Sequence, residues 1–235
     1  MKMFLNTHRS TGRLVPVFVA HEEENGKSLA VNTTLALAKA AAARGETVLM
    51  LDILGGDLMQ AAGIIHGVTL ADVLYRGADI GDAKYISHNE HFTVAHAGDA
   101  PLEDLLGSLA AMSLSYDWVF VGTEVGCTPA HVCLAGASDT AILGYASQKN
   151  LFMRAYWMLD AIRARVPKFD PLMLVEGDET DGFETYDLFA GTVREFLGAA
   201  PALGGITQNA RDTHLIAPTL LACLREEALE QRRTA

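Results

Sequence analysis

Residues 15–28 have the sequence VPVFVA-HEEENGKS, and an alanine-rich segment follows them as far as Arg44. The run Val15–Ala20 is apolar and rich in β-branched and aromatic side chains, which is typical of a buried parallel strand. The segment Ser28–Arg44 predicts a helix, which Gly45 ends just after its basic last residue. A strand, a tight loop and a helix in this order predict the beginning of an α/β fold.

The loop between this strand and helix has the residue order of a phosphate-binding loop. There, glycines let backbone N–H groups approach the β-phosphate, a lysine reaches the β- and γ-oxygens, and a hydroxyl holds Mg²⁺. Gly26, Lys27 and Ser28 stand in that order. His21, however, replaces the first glycine of G-x-x-x-x-G-K-[ST], and glutamates fill Glu22–Glu24. Each carboxylate near a triphosphate costs about 1 kcal/mol or more, so we expect these side chains to point outward.

Short apolar runs and helical patterns alternate along the rest of the chain. They predict an α/β fold with a doubly wound, mainly parallel sheet and helices on both faces. We expect one domain over residues 1–235, with an N-terminal extension (1–13) and a C-terminal helix (214–235). The predicted strands are Val15–Ala20, Thr47–Leu51, Phe92–Ala97, Trp118–Val121, Thr140–Tyr145, Leu172–Val175 and Ala202–Ile206. The predicted helices are Ser28–Arg44, Leu58–Ile65, Leu70–Tyr75, Leu102–Leu114, Ala130–Gly136, Asn150–Val166, Phe183–Leu197 and Ala217–Arg233.

Charge and cysteine content argue against several classes of protein. The formal net charge of −11 disfavours binding to nucleic acid or anionic membrane, because both need clustered Lys and Arg. Cys127, Cys133 and Cys223 are odd in number and lack C-x-x-C spacing, so neither a disulfide framework nor a zinc site is indicated. Neither a signal peptide nor an apolar run of about twenty residues is evident. We therefore expect a cytoplasmic protein without a nucleic-acid partner.

Several motifs resemble those of the MinD/ParA family of deviant-Walker P-loop ATPases, and among these the flagellar-number regulators of the FlhG type. The resemblance covers about the whole chain. It implies a P-loop NTPase-like fold of the SIMIBI type and an ATP-dependent, face-to-face dimer that binds membrane or partner proteins until hydrolysis separates it. The motifs that carry it are NGKS at 25–28, GETVLMLD at 45–52, GDL at 56–58, GVTLADVL at 67–74 and YDWVFV at 116–121.

The same resemblance assigns the nucleotide-site residues to Gly26, Lys27, Ser28 and Asp52. Lys27 matches the lysine that binds phosphate, and Ser28 matches the hydroxyl that holds Mg²⁺. Asp52 begins the segment that corresponds to the family's Asp-x-Asp element after the second strand. If the site still works, ATP and Mg²⁺ are therefore the implied cofactors.

Four further positions depart from the family's pattern. Glu22 stands where the family has a second lysine, which acts across the dimer. Leu54 replaces the aspartate that orients the attacking water, and Gly122 replaces the aspartate that ends the Trp118–Val121 strand. Glu176 replaces the asparagine that recognises the base. Because phosphoryl transfer needs a metal, a cation and an oriented water, we expect ATP hydrolysis to be absent or vestigial.

Two groups of acidic residues have alternative interpretations. Glu22, Glu23 and Glu24 form either a solvated turn at the positive end of a helix or a substitute that occupies the phosphate site and holds a nucleotide-free shape. Asp52 and Glu124, at strand ends, form either a residual metal site or caps of the following turns. The eight histidines show no metal-ligand spacing, so they are not expected to bind a metal.

The terminal helix places Leu220, Leu221, Leu224 and Ala228 on one side. In MinD-like relatives a terminal amphipathic helix binds membrane. The acidic residues of this one favour packing on the domain over membrane contact.

The sequence thus predicts a degenerate MinD/ParA-like protein that acts as an interaction scaffold or regulator. The resemblance alone suggests that it positions a polar bacterial assembly, such as a flagellum, pilus or export machine, through protein partners at the pole or beside the inner membrane. No cofactor is expected in that case. The alternative is an ATPase that binds Mg-ATP through Lys27 and Ser28 and hydrolyses it slowly when a partner completes the site. A homodimer that forms without nucleotide is a third option.

Overall fold

The computed structural model of the protein describes residues 12–65, 67–87, 90–148 and 150–234, without the side chains of 110 and 227–234. Most of the predicted N-terminal extension, 1–13, lies outside these ranges. The strands are β1 Arg13–Val19, β2 Val48–Asp52, β3 Lys84–Ile86, β4 Thr93–His96, β5 Trp118–Val125, β6 Ile142–Ala146, β7 Leu172–Glu176 and β8 Leu203–Thr207. The helices are α1 Glu23–Ala42, α2 Asp57–Ala61, α3 Leu70–Arg76, α4 Leu102–Ser113, α5 Pro129–Ala137, α6 Leu151–Arg163, α7 Glu179–Phe196 and α8 Thr213–Thr234. One turn of 3₁₀ helix, Ala210–Asp212, precedes α8.

The eight strands form one sheet in the order β3-β4-β2-β5-β1-β6-β7-β8. Neighbouring strands are parallel, except that β3 is antiparallel to β4. The chain winds outward from β1 in one direction and later in the other, which confirms the predicted doubly wound, mainly parallel sheet. β3 was not expected, because its three residues are too few to show a periodic pattern.

Helices cover both faces of the sheet. On one face, α1, α2 and α8 contribute buried side chains such as Leu37, Leu58 and Leu221. On the other, α4 to α7 contribute side chains such as Leu134 and Val193. Each large apolar side chain buried in these layers contributes about 1.5–3 kcal/mol of transfer free energy. The sheet lies between these two layers, and the carboxyl ends of its parallel strands are at one edge, where ligands of such folds bind.

Helix α1 begins at Glu23, five residues before the predicted start at Ser28. Glu23 and Glu24 lie in its first turn, where negative charge is favourable beside the positive end of the helix dipole. The N–H of Gly26 donates to the carbonyl of Glu22 over 2.7 Å, as in the first turn of an α-helix. Only Ala20, His21 and Glu22 therefore connect β1 to α1.

The terminal helix α8 packs against the body of the domain. Leu220, Leu221 and Leu224 are buried, and Arg225 forms an ion pair with Glu46 at the beginning of the segment that leads into β2. Ala228, which was predicted on the same face, lies outside the described side chains. Within the described part of the chain, no helix is both long and apolar enough to cross a membrane.

Candidate functional site

A cleft of about 440 Å³ lies at the carboxyl ends of β1 and β5, where the sequence placed the phosphate site. Its electrostatic character is mixed, since two cations and two carboxylates share it. The residues around the cleft are His21, Glu23, Lys27, Leu54, Glu124, Val125 and Arg154.

Gly26 lies in the first turn of α1, where the helix passes close to the sheet. A β-carbon on Gly26 would lie 2.5 Å from Cγ2 of Val125 and 3.0 Å from Cβ of His21. Both separations are shorter than van der Waals contact, so only glycine lets α1 approach β5 this closely. The glycine of the loop motif therefore serves the contact between helix and sheet.

Lys27 points across the cleft to the first residue of α2. Its ammonium forms an ion pair with the carboxylate of Asp57, and both side chains are partly exposed, 47% and 37%. The hydrogen bond that Lys27 donates to the carboxylate of Asp57 raises the pKa of Lys27, and the negative charges of Asp57, Asp52 and Glu124 act in the same direction. The positive charge of Lys27 is thus directed to a carboxylate of its own chain.

Ser28 is exposed on α1 and does not line the cleft. Its hydroxyl accepts a hydrogen bond from Nδ2 of Asn32 at 3.3 Å, one turn further along the helix. The same amide nitrogen donates to the Ser28 carbonyl at 2.9 Å. Ser28 is therefore hydrogen-bonded within α1, whereas the hydrogen bonds described for the carboxylate of Asp52 go to the backbone of residues 54–59.

Asp52 is fully buried at the end of β2. Its Oδ1 accepts the N–H of Leu54 at 2.8 Å and that of Gly56 at 3.4 Å, and its Oδ2 accepts the N–H of Met59 at 2.9 Å. Three backbone donors so arranged close the turn between β2 and α2. Of the two interpretations of Asp52, this geometry matches the turn cap.

Leu54 and Gly122 pack against each other at the positions where the resemblance expected carboxylates. Leu54 is 2% exposed. A β-carbon on Gly122 would lie 3.0 Å from Oγ1 of Thr34 and 3.1 Å from Cδ1 of Leu54. Gly122 is also inside β5, which runs to Val125 rather than ending at the predicted Val121. The space next to β5 is filled by a leucine.

His21 and Glu176 contact each other at the ends of β1 and β7. Nε2 of the buried His21 lies 3.4 Å from Oε2 of Glu176, and the other carboxylate oxygen accepts the N–H of Ala210 at 2.8 Å. Nδ1 of His21 accepts the N–H of Glu22 at 2.6 Å, so the imidazole proton lies on Nε2 and faces the carboxylate. The residue in the base-recognising position is thus bonded within the chain.

The remaining predicted acidic positions are exposed. Glu22, Glu23 and Glu24 project from the start of α1, and only Glu23 lines the cleft. Glu124 also lines the cleft, while its carbonyl oxygen lies 3.0 Å from Nε2 of His131. Among the described residues, no cluster of three or more His, Cys, Asp or Glu side chains is arranged to hold a metal ion.

Two residues that contribute to this site were not expected from the sequence. Arg154 donates from Nη1 to the carbonyl of His21 at 2.9 Å, although the two residues are 133 positions apart. Asp57 pairs with Lys27 from the start of α2. No local pattern identifies Arg154, whereas an aspartate in the first turn of a helix after a buried strand was a usable signal for Asp57.

Comparison with known proteins identifies the fold. Neither the models of protein families nor the sequences of curated proteins give a match. The MinC:MinD cell division complex of Aquifex aeolicus contains a chain that is 14% identical, with a TM-score of 0.69 over 91% of this chain and 96% of that one. The MinD of Pyrococcus horikoshii, solved with Mg-ADP, gives 16% identity and a TM-score of 0.61 over 93% and 95%. A ParA-family ATPase of Chlorobium tepidum is 15% identical, with a TM-score of 0.66 over 93% of this chain and 95% of that one.

At these identities the likeness establishes the fold and leaves the chemistry to the site itself. The chain has the fold of the MinD and ParA P-loop ATPases, as its motifs predicted.

Proposed function

We propose that this protein is a degenerate MinD/ParA-like scaffold, which works through protein partners and hydrolyses ATP not at all or only vestigially. The observation that carries the proposal is the pairing of Lys27 with Asp57. The ammonium that would meet the β- and γ-phosphates is directed to a carboxylate of the same chain. A ligand would have to break this ion pair before it could use the lysine.

The backbone around Gly26 supports the same conclusion. A phosphate loop binds its ligand through backbone N–H groups that have no partner in the protein. The N–H of Gly26 instead donates to the carbonyl of Glu22 inside a helix. Because the helix begins at Glu23, the residues that would wrap around a β-phosphate are wound into its first turns.

The charge of the cleft is a further argument against a triphosphate. Glu23 and Glu124 both line it, and their negative charges balance the positive charges of Lys27 and Arg154. Like-charge repulsion at a surface-like dielectric costs about 1 kcal/mol or more per carboxylate. The residues present therefore do not fit Mg-ATP in this conformation.

The positions that would serve hydrolysis also lack suitable groups. Leu54 is buried and apolar where a water-orienting carboxylate is needed, and Gly122 has no side chain. Asp52 directs both oxygens to backbone N–H groups. Loss of groups that orient the attacking water and stabilise charge in the transition state lowers phosphoryl-transfer rates by several powers of ten.

The cellular role that we propose is the spatial positioning of a polar bacterial assembly, such as a flagellum, pilus or export machine. This part rests on fold-level analogy, which is a weaker basis than the site. A MinD of this fold is known in complex with its partner MinC, so recruitment of a protein partner is a use to which the fold is put. Cytoplasmic location, polar or beside the inner membrane, belongs to the same proposal, whereas a homodimer that forms without nucleotide is a separate, third option.

The alternative is a slow ATPase that binds Mg-ATP through Lys27 and Ser28. It is favoured by the partial exposure of Lys27 and by the position of Arg154, since both cations line one cleft. A partner that drew Asp57 away would release the lysine. Under this alternative, the relative solved with Mg-ADP indicates the ligand.

Titration with a fluorescent ATP analogue, with and without Mg²⁺, separates the two functions. Lys27→Ala is compared with Lys39→Ala, a matched control on the same helix whose ammonium also pairs with a carboxylate, that of Glu90. We expect no saturable binding to the wild-type chain or to either variant. Micromolar binding that Lys27→Ala abolishes and Lys39→Ala retains would establish the ATPase alternative instead.

A further inference from the structure

Strand β8 forms one edge of the sheet. It pairs with β7 alone, so its outer edge meets no other strand of the described chain. Proteins protect such edges with charged side chains, proline or very short strands, because unpaired N–H and C=O groups attract further strands. At the opposite edge, β3 has three residues and begins with Lys84.

β8 has none of these protections. Its five residues, Leu203–Thr207, include two glycines and contain neither proline nor charge. The uncharged stretch extends over residues 196–210, in a chain that carries 47 charged side chains, 18 basic and 29 acidic. Five residues are enough to pair with an added strand, so this edge is suited to accept one.

A cleft of about 540 Å³ adjoins this edge. Its apolar wall consists of Leu203 and Ile206 from β8 and Phe183 from α7, whose side chain is half exposed. Asp178 and Glu179, at the start of α7, also line it. The cleft therefore combines an apolar wall with two carboxylates beside a free strand edge.

Negative charge is concentrated on this side of the molecule. Residues 169–193 contain no Lys or Arg, and the described ion pairs leave the carboxylates of the first turns of α7 without a cation. Asp178 and Asp181 repel each other, which raises the pKa of Asp181. A basic side chain brought to this cluster would relieve the repulsion.

We propose that the free edge of β8 and the adjoining cleft bind an extended, basic segment of a partner protein, which adds to the sheet as a further strand. Backbone hydrogen bonds to β8 supply the affinity, and an apolar side chain of the segment packs against Phe183 and Ile206. Its Lys or Arg side chains face Asp178 and Glu179. The residues that line this cleft differ from those that line the cleft around Lys27.

The test is selection of binding peptides from a random eight-residue display library by the full chain. We expect the selected peptides to alternate apolar residues with Lys or Arg. Methylation of alternate backbone nitrogens of a selected peptide should weaken binding at least about tenfold, because it removes the donors that pair with β8. Hydrogen exchange of residues 203–207 should slow when the peptide is bound.

Charge variants test the two carboxylates of the cleft. Asp178→Asn with Glu179→Gln should weaken binding about fivefold or more, and asparagine still caps α7 where Asp178 accepts the N–H of Asp181. The matched control, Asp82→Asn with Glu103→Gln, removes two exposed carboxylates elsewhere and should change binding less than about twofold.

Three outcomes would overturn the proposal. They are selected peptides without basic residues, equal weakening by both pairs of charge variants, and binding that survives backbone methylation. Protection of residues 203–207 that depends on protein concentration without peptide would assign the edge to a second copy of the chain. The ATP titration is independent of all these results, so failure of this proposal leaves the scaffold function open.

Discussion

The imidazole of His21 and the carboxylate of Glu176 face each other across β6, with 3.4 Å between Nε2 and Oε2. Each stands at a position where the motif of the nucleotide site expects a different residue. Because the two side chains contact each other, the residue that replaces the motif at one position is the polar partner of the residue that replaces it at the other. Ala210 is tied to the same carboxylate, so the contact joins β1, β7 and the turn before α8.

Replacement of His21 should destabilise the protein. Oε2 of Glu176 is buried and has no hydrogen-bond partner in the described structure, and Nε2 of His21 lies 3.4 Å from it. His21→Ala removes this contact, so we expect the free energy of unfolding to fall by about 1–3 kcal/mol. Urea unfolding of this variant, of Glu176→Gln and of the double variant should give a coupling energy of at least about 0.5 kcal/mol. His214→Ala, at an exposed position, is the control and should stay within about 0.5 kcal/mol. Strict additivity of the two changes would contradict the contact.

Gly26 should tolerate no side chain. Alanine in a helix gains about 0.5–1 kcal/mol over glycine, but here the overlap with Val125 costs about 1–3 kcal/mol, so Gly26→Ala should be destabilising. Gly191 in α7 is the matched control, because nothing lies within 4 Å of a β-carbon there and Gly191→Ala should stabilise. Thermal unfolding of both variants gives the comparison. Stabilisation by both would show that α1 does not need its close approach to β5.

A restored aspartate at Gly122 should not restore hydrolysis. The new side chain would meet Thr34 and Leu54 in a filled, largely apolar space, at a cost of about 2–4 kcal/mol for overpacking and partial burial of charge. Stability and phosphate release are measured together for Gly122→Asp. Wild-type stability with new ATP hydrolysis would mean that the space opens readily and that the active site survives.

A fall in pH should lower the free energy of unfolding through protonation of His131. Burial lowers the pKa of His131 below its usual 6.5, and its ring nitrogens contact the N–H of Thr128 and the carbonyl of Glu124. The unfolded chain therefore takes up this proton at higher pH than the folded one. The contribution of neutral His131 to the free energy of unfolding is complete above about pH 6.5. It is lost as the pH falls towards the pKa of His131 in the folded protein.

Urea unfolding between about pH 5 and 7.5 measures this effect. His131→Gln should reduce the proton uptake on unfolding by up to about one proton at the acidic end. A direct NMR titration of the His131 ring provides the folded pKa. A midpoint at or above 6.5 would contradict the expected sign.

The apolar face of α8 should be needed for folding. Leu224→Ala removes a fully buried side chain and should cost about 2–5 kcal/mol, whereas Leu215→Ala, on the same helix and 70% exposed, should cost less than about 0.5 kcal/mol.

Flotation with anionic vesicles should leave the wild-type chain unbound. Vesicle binding that Leu224→Ala weakened would mean that α8 leaves the domain to reach a membrane.

The fold could be predicted because its signals are local or periodic. Buried runs such as Val48–Asp52 and glycine-bounded helices repeat along the chain, and their alternation determines a parallel sheet. Helix starts were less predictable. α1 begins at Glu23, where the helix dipole favours negative charge, and α7 begins at Glu179 after its cap Asp178, and apolar periodicity records neither effect. β5 continued past Val121 because Gly122 pairs with β1 and β2 and Val125 pairs with β1, which only the assembled sheet reveals.

The candidate site was predictable in position but not in its contacts. The order of Gly26 and Lys27 placed it at the end of β1, and the cleft lies there. Asp57, in the first turn of a helix after a buried strand, gave a local signal for its pairing with Lys27. The contact of Arg154 with His21 joins segments 133 positions apart, so no spacing in the sequence encodes it. The same holds for the leucine that fills the space beside Gly122.

The early start of α1 has an evolutionary consequence. To regain a phosphate loop, a descendant of this chain would have to unwind the first turn, free Lys27 from Asp57 and clear Leu54 from the space beside Gly122. Under the scaffold function proposed above, three separate changes would thus be needed before the chain could bind a nucleotide, and no one of them alone would create the site. The early start of α1 therefore favours evolutionary change at the outer surfaces of the fold over recovery of a phosphate loop.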